Sequence, residues 1–351
     1  MKNIFNLLIV IALCTSCTAD GYHIKGSVEG ALEGDVIYLS TVEGGTFVNL
    51  DSTTIQNGVF TFEGKQDKAV NRYIRTKNKV GNTNRRLYTD FFLENGEIQV
   101  SITAMGGETS GTPNNDAYQA SRNEMYELQQ KLASLPKEEQ MKEFDNVFTG
   151  VMKRAATKYI KMPVGIHFLK EAYHFMETNE LAELLNQIPD DLSVDPAVTR
   201  IKDLVERKKN CAIGKPFIDF EMNDPEGKSV KLSDYAGKGK FVLVDIWASW
   251  CGPCCKAIPD LIQLYDLYKG MGLEIVGISL DQDTKAWKGA IERLNIPWPQ
   301  MSDLKAWKSE GPKMYAISTI PYTVLLDAEG KIVANNLTLE ELRTYLDENL
   351  L

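Results

Sequence analysis

The chain has 351 residues, of which 43% are hydrophobic and 25% charged, and a net charge of −9. That length accommodates two or three domains of ~100–200 residues, and the composition excludes a disordered or fibrous chain. The acidic balance argues against a nucleic-acid partner, because the one notable basic run, Arg207 to Lys209, reads as a solvated helix end.

Lys2 is followed by an apolar run from Ile4 to Leu13 and then by small residues up to Cys17. This is the pattern of a secretory signal. The run is shorter than the ~20 residues a spanning helix needs. Ser16 before Cys17 fits a bacterial lipoprotein processing site, although Cys14 stands where such sites usually carry Leu. Residues 1–16 therefore read as a signal peptide and Cys17 as a lipidated terminus. Such a terminus would hold the protein on a membrane facing the periplasm; secretion of a soluble product is the alternative. Loss of Cys14 with the signal leaves Cys211, Cys251, Cys254 and Cys255, too few for a disulfide-stapled scaffold.

Residues 17–110 alternate short β-like runs with turns, with strands expected at 23–28, 35–39, 58–62, 72–75, 88–93 and 96–100. Asn57-Gly58 and Asn95-Gly96 are strong turn dipeptides. An antiparallel sandwich or barrel is expected. His23 lies early in a strand with no acidic or thiol partner near it in sequence, and reads as a surface or structural histidine. Residues 105–115, rich in Gly, Thr, Ser and Asn, read as a loop. Residues 111–210 form a helical connector, with apolar residues from Leu128 to Met152 near helical spacing and breaks at Pro163, Asp190 and Pro196. His167 and His174 are seven apart and share a helix face in this reading; amphipathic packing explains the spacing better than a metal does.

Residues 211–351 alternate strands and helices, which predicts an α/β sheet domain. Phe241–Trp247 is a β-branched and aromatic run that reads as a buried strand. Lys256 to Tyr268 has apolar residues at helical spacing. Between them stand Trp250, Cys251, Gly252, Pro253 and Cys254. Two thiols three apart at a helix start face unpaired N–H groups and the positive end of the dipole, which favour a thiolate. Zinc wants more Cys or His ligands than Cys211 supplies, and attached haem wants His where Cys255 stands. Thiol–disulfide exchange is the reading left, with Cys251 as nucleophile and Cys254, one turn further in, as the resolving thiol. No bound cofactor is expected, because the electrons reside in the cysteine pair. Asp245 is a carboxylate in an apolar strand, costly unless neutralised or paired.

The segment Val244–Cys254 resembles the active-site strand and turn of thioredoxins. With Thr319-Ile320-Pro321 and Asp327–Lys331 it resembles the TlpA/ResA-like, membrane-anchored branch, over roughly Ile213 to the C-terminus. The upstream β segment resembles the β-rich domain often fused to such proteins in Bacteroidetes lipoproteins. The resemblance implies a thioredoxin-like catalytic fold and a cis Pro321 facing the thiols, with Ile320 presenting backbone to a substrate strand. It further implies that Asp245 accepts the proton of Cys254 through water, and that Pro259 is the structural proline of the active-site helix. Gly252-Pro253 implies a reducing pair, near roughly −270 mV rather than roughly −120 mV. Its partners would be protein disulfides and a membrane thiol-reducing relay as electron donor. Trp247 is expected in the core and Trp250 on a substrate-contact surface beside Gly252 and Pro253. Two positions depart from the pattern. Ala257 stands where ResA-like proteins carry a functional Glu, and Cys255 where Lys or Arg is usual; Cys255 is expected to be a buried bystander. The rivals are an oxidase or isomerase with the same residues, and a thioredoxin-fold binding module without redox activity.

Overall fold

The computed structural model describes residues 20–80 and 85–350, so Cys17 and the segment read as a signal lie outside the described residues. The chain divides into two compact units, residues 1–199 and 200–351.

In the first unit, β1 (Tyr22–Val28), β2 (Val36–Glu43), β3 (Thr46–Thr54), β4 (Phe60–Gly64), β5 (Val70–Thr76), β6 (Tyr88–Leu93), β7 (Gly96–Thr103) and β8 (Gly106–Ser110) form two four-stranded sheets. Their orders are β4-β1-β7-β8 and β3-β2-β5-β6. All pairs are antiparallel except β1 with β7. Alternating apolar residues of both sheets, among them Ile24, Ile37, Ile74, Phe91 and Ile98, meet in one core, the packing that strand periodicity dictates. Two strands escaped the sequence reading. β3 is an edge strand exposed along most of its length, so it has no apolar alternation to betray it. β8 lies inside residues 105–115, where a loop was expected. Its Gly and Thr residues pair with β7 through the backbone, which composition does not reveal. His23 also differs from expectation. The strand registers set it opposite Glu63 and Glu97, and its ring lies 3.3 Å and 2.8 Å from their carboxylates.

Helices α1 (Pro113–Ala133), α2 (Lys137–Tyr159), α3 (Pro163–Ala172), α4 (Thr178–Leu185), α5 (Asp190–Ser193) and α6 (Pro196–Asn210) follow. Proline opens α1, α3 and α6, where its missing N–H costs nothing. The Asn115 side chain pairs with both the N–H and the C=O of Phe92, acting as a strand partner for the edge of β6. The buried Asn115 thus belongs to a helix start and not to a loop. His167 and His174 do not share a helix face, since α3 ends at Ala172 and His174 lies in a 3₁₀ turn. His167 is wedged edge-on against Phe92, Tyr118 and Phe168. Burial lowers its pKa, with Asp90 and Glu171 opposing. A histidine buried neutral contributes stability above its unfolded pKa near 6.5 and loses it as pH falls, because the unfolded chain binds the proton first. Thermal unfolding of the full chain from pH 8 to pH 5 should therefore lose stability by up to about 1.4 kcal/mol per pH unit below 6.5 on account of this residue. His167→Phe should flatten that slope; an identical slope in both proteins would refute the assignment.

In the second unit, β9 (Glu221–Asn223) and β10 (Ser229–Lys231) form a hairpin. Then come β11 (Phe241–Trp247), α7 (Gly252–Tyr268), β12 (Leu273–Ser279), α8 (Thr284–Leu294), β13 (Gln300–Met301), α9 (Glu310–Met314), β14 (Tyr322–Leu326), β15 (Ile332–Asn335) and α10 (Leu339–Leu350). The sheet order is β13-β12-β11-β14-β15. The first three strands are parallel and the last two antiparallel to their neighbours. β11 is central, and Val242 to Trp247 are all buried, as a strand covered on both faces requires. The Phe241 ring meets Tyr345 of α10, and Tyr268 of α7 is hydrogen-bonded to Asp347 of α10. Helices α7 and α10 therefore cover the face carrying Phe241, Leu243, Asp245 and Trp247. The opposite face, with Val244 and Ile246, meets Phe220, Pro312 and Tyr315. This is the thioredoxin-like α/β arrangement expected of residues 211–351.

Candidate active site

The site sits where β11 gives way to α7, at the carboxyl end of a strand flanked on both sides, the usual place for a site in such sheets. Cys251 is the N-cap of α7, and its Sγ accepts a hydrogen bond from the backbone N–H of Cys254 at 3.2 Å. Cys251 and Cys254 are joined as a disulfide with Cα atoms 5.3 Å apart. Cys254, at 2% exposed, is the deeper of the two; Cys251 retains 6%. Trp250 stands 56% exposed beside them, whereas Trp247 is fully buried. The space over Gly252 is open. Pro253 follows within the first turn of α7, and Pro259 lies inside the helix. The Ile320–Pro321 peptide bond is cis. β14 runs antiparallel to β11, with Tyr322 opposite Ile246, so Ile320 and Pro321 lie at the same end of the sheet as the cysteines.

Asp245 is buried in the middle of β11. Its Oδ2 has no hydrogen-bond partner among the described residues, and burial alone raises its pKa from 3.8 to about 7. A carboxyl poised there can take or give a proton at neutral pH. Cys255 is half-buried rather than buried, with its Sγ near the carbonyl oxygens of Ala248 and Ser249. Cys211 is buried at the end of α6, where burial raises its pKa. Among the described residues no group of His, Cys, Asp and Glu is arranged to hold a metal ion.

Two further residues shape the site and went unseen in the sequence. Asp281, just beyond β12, accepts hydrogen bonds from the Ser249 N–H and hydroxyl and from Ser279, which ties the turn before Cys251 to the neighbouring strand. Gln300 accepts a 2.9 Å bond from the Trp247 indole N–H. A short polar residue at the end of a strand is the only sequence signal either gives.

A dithiol pair at a helix N-terminus, set at the end of the central strand of a thioredoxin-like sheet, defines a thiol–disulfide exchange protein. Residues 213–335 match the AhpC/TSA family, and residues 22–118 match a domain of unknown function, DUF4369. Over 144 residues the chain is 34% identical to the thiol-disulfide oxidoreductase ResA of Bacillus cereus (strain ZK / E33L), covering 40% of this chain and 80% of that one. It is 34% identical over 142 residues to ResA of Bacillus anthracis, covering 40% and 79%. The thioredoxin domain of a thiol-disulfide oxidoreductase from Bacteroides vulgatus is 35% identical, with a TM-score of 0.37, covering 40% of this chain and 99% of that one. The C-terminal domain of a putative thiol-disulfide oxidoreductase from Bacteroides thetaiotaomicron is also 35% identical, with a TM-score of 0.38 and coverages of 40% and 97%. The chain belongs to the ResA family of thiol–disulfide oxidoreductases.

Proposed function

We propose that the protein is a lipid-anchored periplasmic reductase of protein disulfides. The observation that carries the chemistry is the Cys251–Cys254 pair at the start of α7 with the buried carboxyl of Asp245 on the face that α7 covers. In the reduced protein the Cys251 thiolate attacks a substrate disulfide, forming one S–S bond and releasing one substrate thiolate. Asp245 accepts the proton of Cys254. The Cys254 thiolate then attacks the Cys251 sulfur, closing the intramolecular disulfide and releasing the second substrate thiolate. Two electrons pass from the pair to the substrate, and a membrane thiol-reducing relay restores them. Trp250, Gly252, Pro253 and Ile320 form the surface that receives the substrate.

Gly252-Pro253 supports the reducing direction. Equilibration against a glutathione or dithiothreitol series should place the pair near roughly −270 mV, with turnover in an insulin-reduction assay. A potential near roughly −120 mV would reverse the direction to that of an oxidase.

Anchoring rests on Ser16 and Cys17; among the described residues no helix is long and apolar enough to cross a membrane. Cys17→Ser should move the protein from the membrane to the soluble fraction with insulin reduction unchanged in vitro, because a lipid chain and not the redox unit supplies the membrane affinity. Wild-type protein found soluble, with Cys17 unmodified, would refute the anchor.

A further inference from the structure

The strand registers place three residues in one cross-strand row. Asp245 on β11 is opposite Gly277 on β12, and Gly277 is opposite Gln300 on β13. Paired residues point to the same side of a sheet, so all three belong to the face that α7 covers. Gly277 has no side chain, and the Gln300 carboxamide occupies the space: a Cβ on Gly277 would come within 2.2 Å of the Gln300 Nε2. Gln300 therefore reaches back over β12 toward β11. Its oxygen is taken by Trp247, two residues from Asp245 on the same face. An indole N–H only donates, so the oxygen must face Trp247, and the NH₂ must point elsewhere. Among the described residues that NH₂ is buried without a partner, as is Oδ2 of Asp245. One row thus holds an unmatched donor and an unmatched acceptor, separated by a glycine.

We propose that Gln300 is a positioning residue for Asp245: its carboxamide NH₂ serves the ionised carboxylate, through one bridging water or a small side-chain rotation. A donor to a carboxylate favours its charged form, and so keeps it deprotonated and free to take the Cys254 proton. The other groups around Asp245 do not supply this. Gly277 and Thr323 flank it in the sheet. Beyond β12 the buried Asp281 is taken up by Ser249 and Ser279; from α7 the titratable groups packed on the core are Cys251, Cys254, Tyr265 and Tyr268, and from α10 they are Tyr345 and Asp347. The last two lie toward Phe241, at the far end of β11. Among the described residues no charged side chain offsets the burial of Asp245.

The inference rests on the reading of Asp245 as base, but its test does not depend on that reading. The Asp245 carboxyl is followed by ¹³C NMR titration in the full chain with labelled aspartate, its signal assigned by comparison with Asp245→Asn. Gln300→Met keeps the length and removes the donor; it should raise the Asp245 pKa by about one unit. Trp247→Phe removes the indole N–H but leaves the Gln300 donor, and should leave the titration within about 0.3 units. Gly277→Ala evicts the carboxamide without changing its chemistry, and should act like Gln300→Met if that variant folds poorly. A one-unit rise would cut the ionised fraction at pH 7, and with it the rate of mixed-disulfide resolution, by up to about tenfold. An Asp245 titration unmoved in both Gln300→Met and Gly277→Ala overturns the inference. A titration that moves while the resolution rate stays constant upholds the inference and refutes Asp245 as the base.

Discussion

Cys251→Ser should abolish disulfide reduction, and Cys254→Ser should convert the protein into a trap that holds substrate as a mixed disulfide. The asymmetry comes from position. Cys251 is the N-cap of α7 and the less buried of the pair, with the helix N–H groups and the exposed Trp250 beside it. Helix N–H groups and the positive end of the dipole favour a thiolate at such a site, which raises the attacking fraction at neutral pH. Cys254 is one turn in and 2% exposed, reachable by the Cys251 sulfur and not by a bulky disulfide. Without Cys251 no first bond forms. Without Cys254 the first bond forms and is not resolved, save slowly by external thiol. The check is non-reducing electrophoresis and mass spectrometry after incubation with oxidised substrate: adducts in Cys254→Ser, none in Cys251→Ser. Equal trapping by both variants would overturn the roles. Cys255, half-buried as the fourth residue of α7, makes Cys255→Ser a useful background for the trap, since it removes the neighbouring thiol that could resolve the adduct in place of Cys254.

Asp245→Asn should slow resolution by roughly 10²-fold at neutral pH, within the 10²–10⁴-fold that general-base help supplies, while the first attack is largely spared. An amide cannot accept the Cys254 proton. The deficit should shrink as pH rises and Cys254 ionises unaided, so stopped-flow release of the mixed disulfide across pH is the decisive measurement. An unchanged pH profile would make Asp245 a structural residue. Stability should move the other way. The folded-state pKa is raised from 3.8 to about 7, so between those values the folded protein binds a proton that the unfolded chain has lost. Its stability therefore falls as pH rises through this window, and the cost is fully present above about 7. The variant should thus be more stable than wild type at pH 8, by at most about 4 kcal/mol less the cost of a buried unpaired amide, and should lose that advantage near pH 4. Chemical denaturation at the two pH values tests the sign.

Much of this protein is local, and local features are legible in a sequence. Phe241–Trp247 could only be a strand buried on both faces, and the helical apolar spacing after Cys254 set the thiols at a helix start. Nearness in the chain thus sufficed to single out the cysteine pair and the buried Asp245, because a charge in an apolar strand stands out wherever the strand is placed. What depended on partners from elsewhere did not show. β3 is an exposed edge and β8 pairs through its backbone, so neither carries an apolar period. His23 looked unpartnered until two registers brought Glu63 and Glu97 to it from 40 and 74 residues away. Asp281 and Gln300 read as ordinary polar residues, and only the order β13-β12-β11 turns them into an anchor for the active-site turn and a partner for the Trp247 indole. The sequence by itself determined the cysteine pair and its place at a helix start, because both thiols lie within one turn of chain. The tertiary structure decided what surrounds them, because burial and hydrogen bonding at the site are set by strands that meet only when the sheet closes.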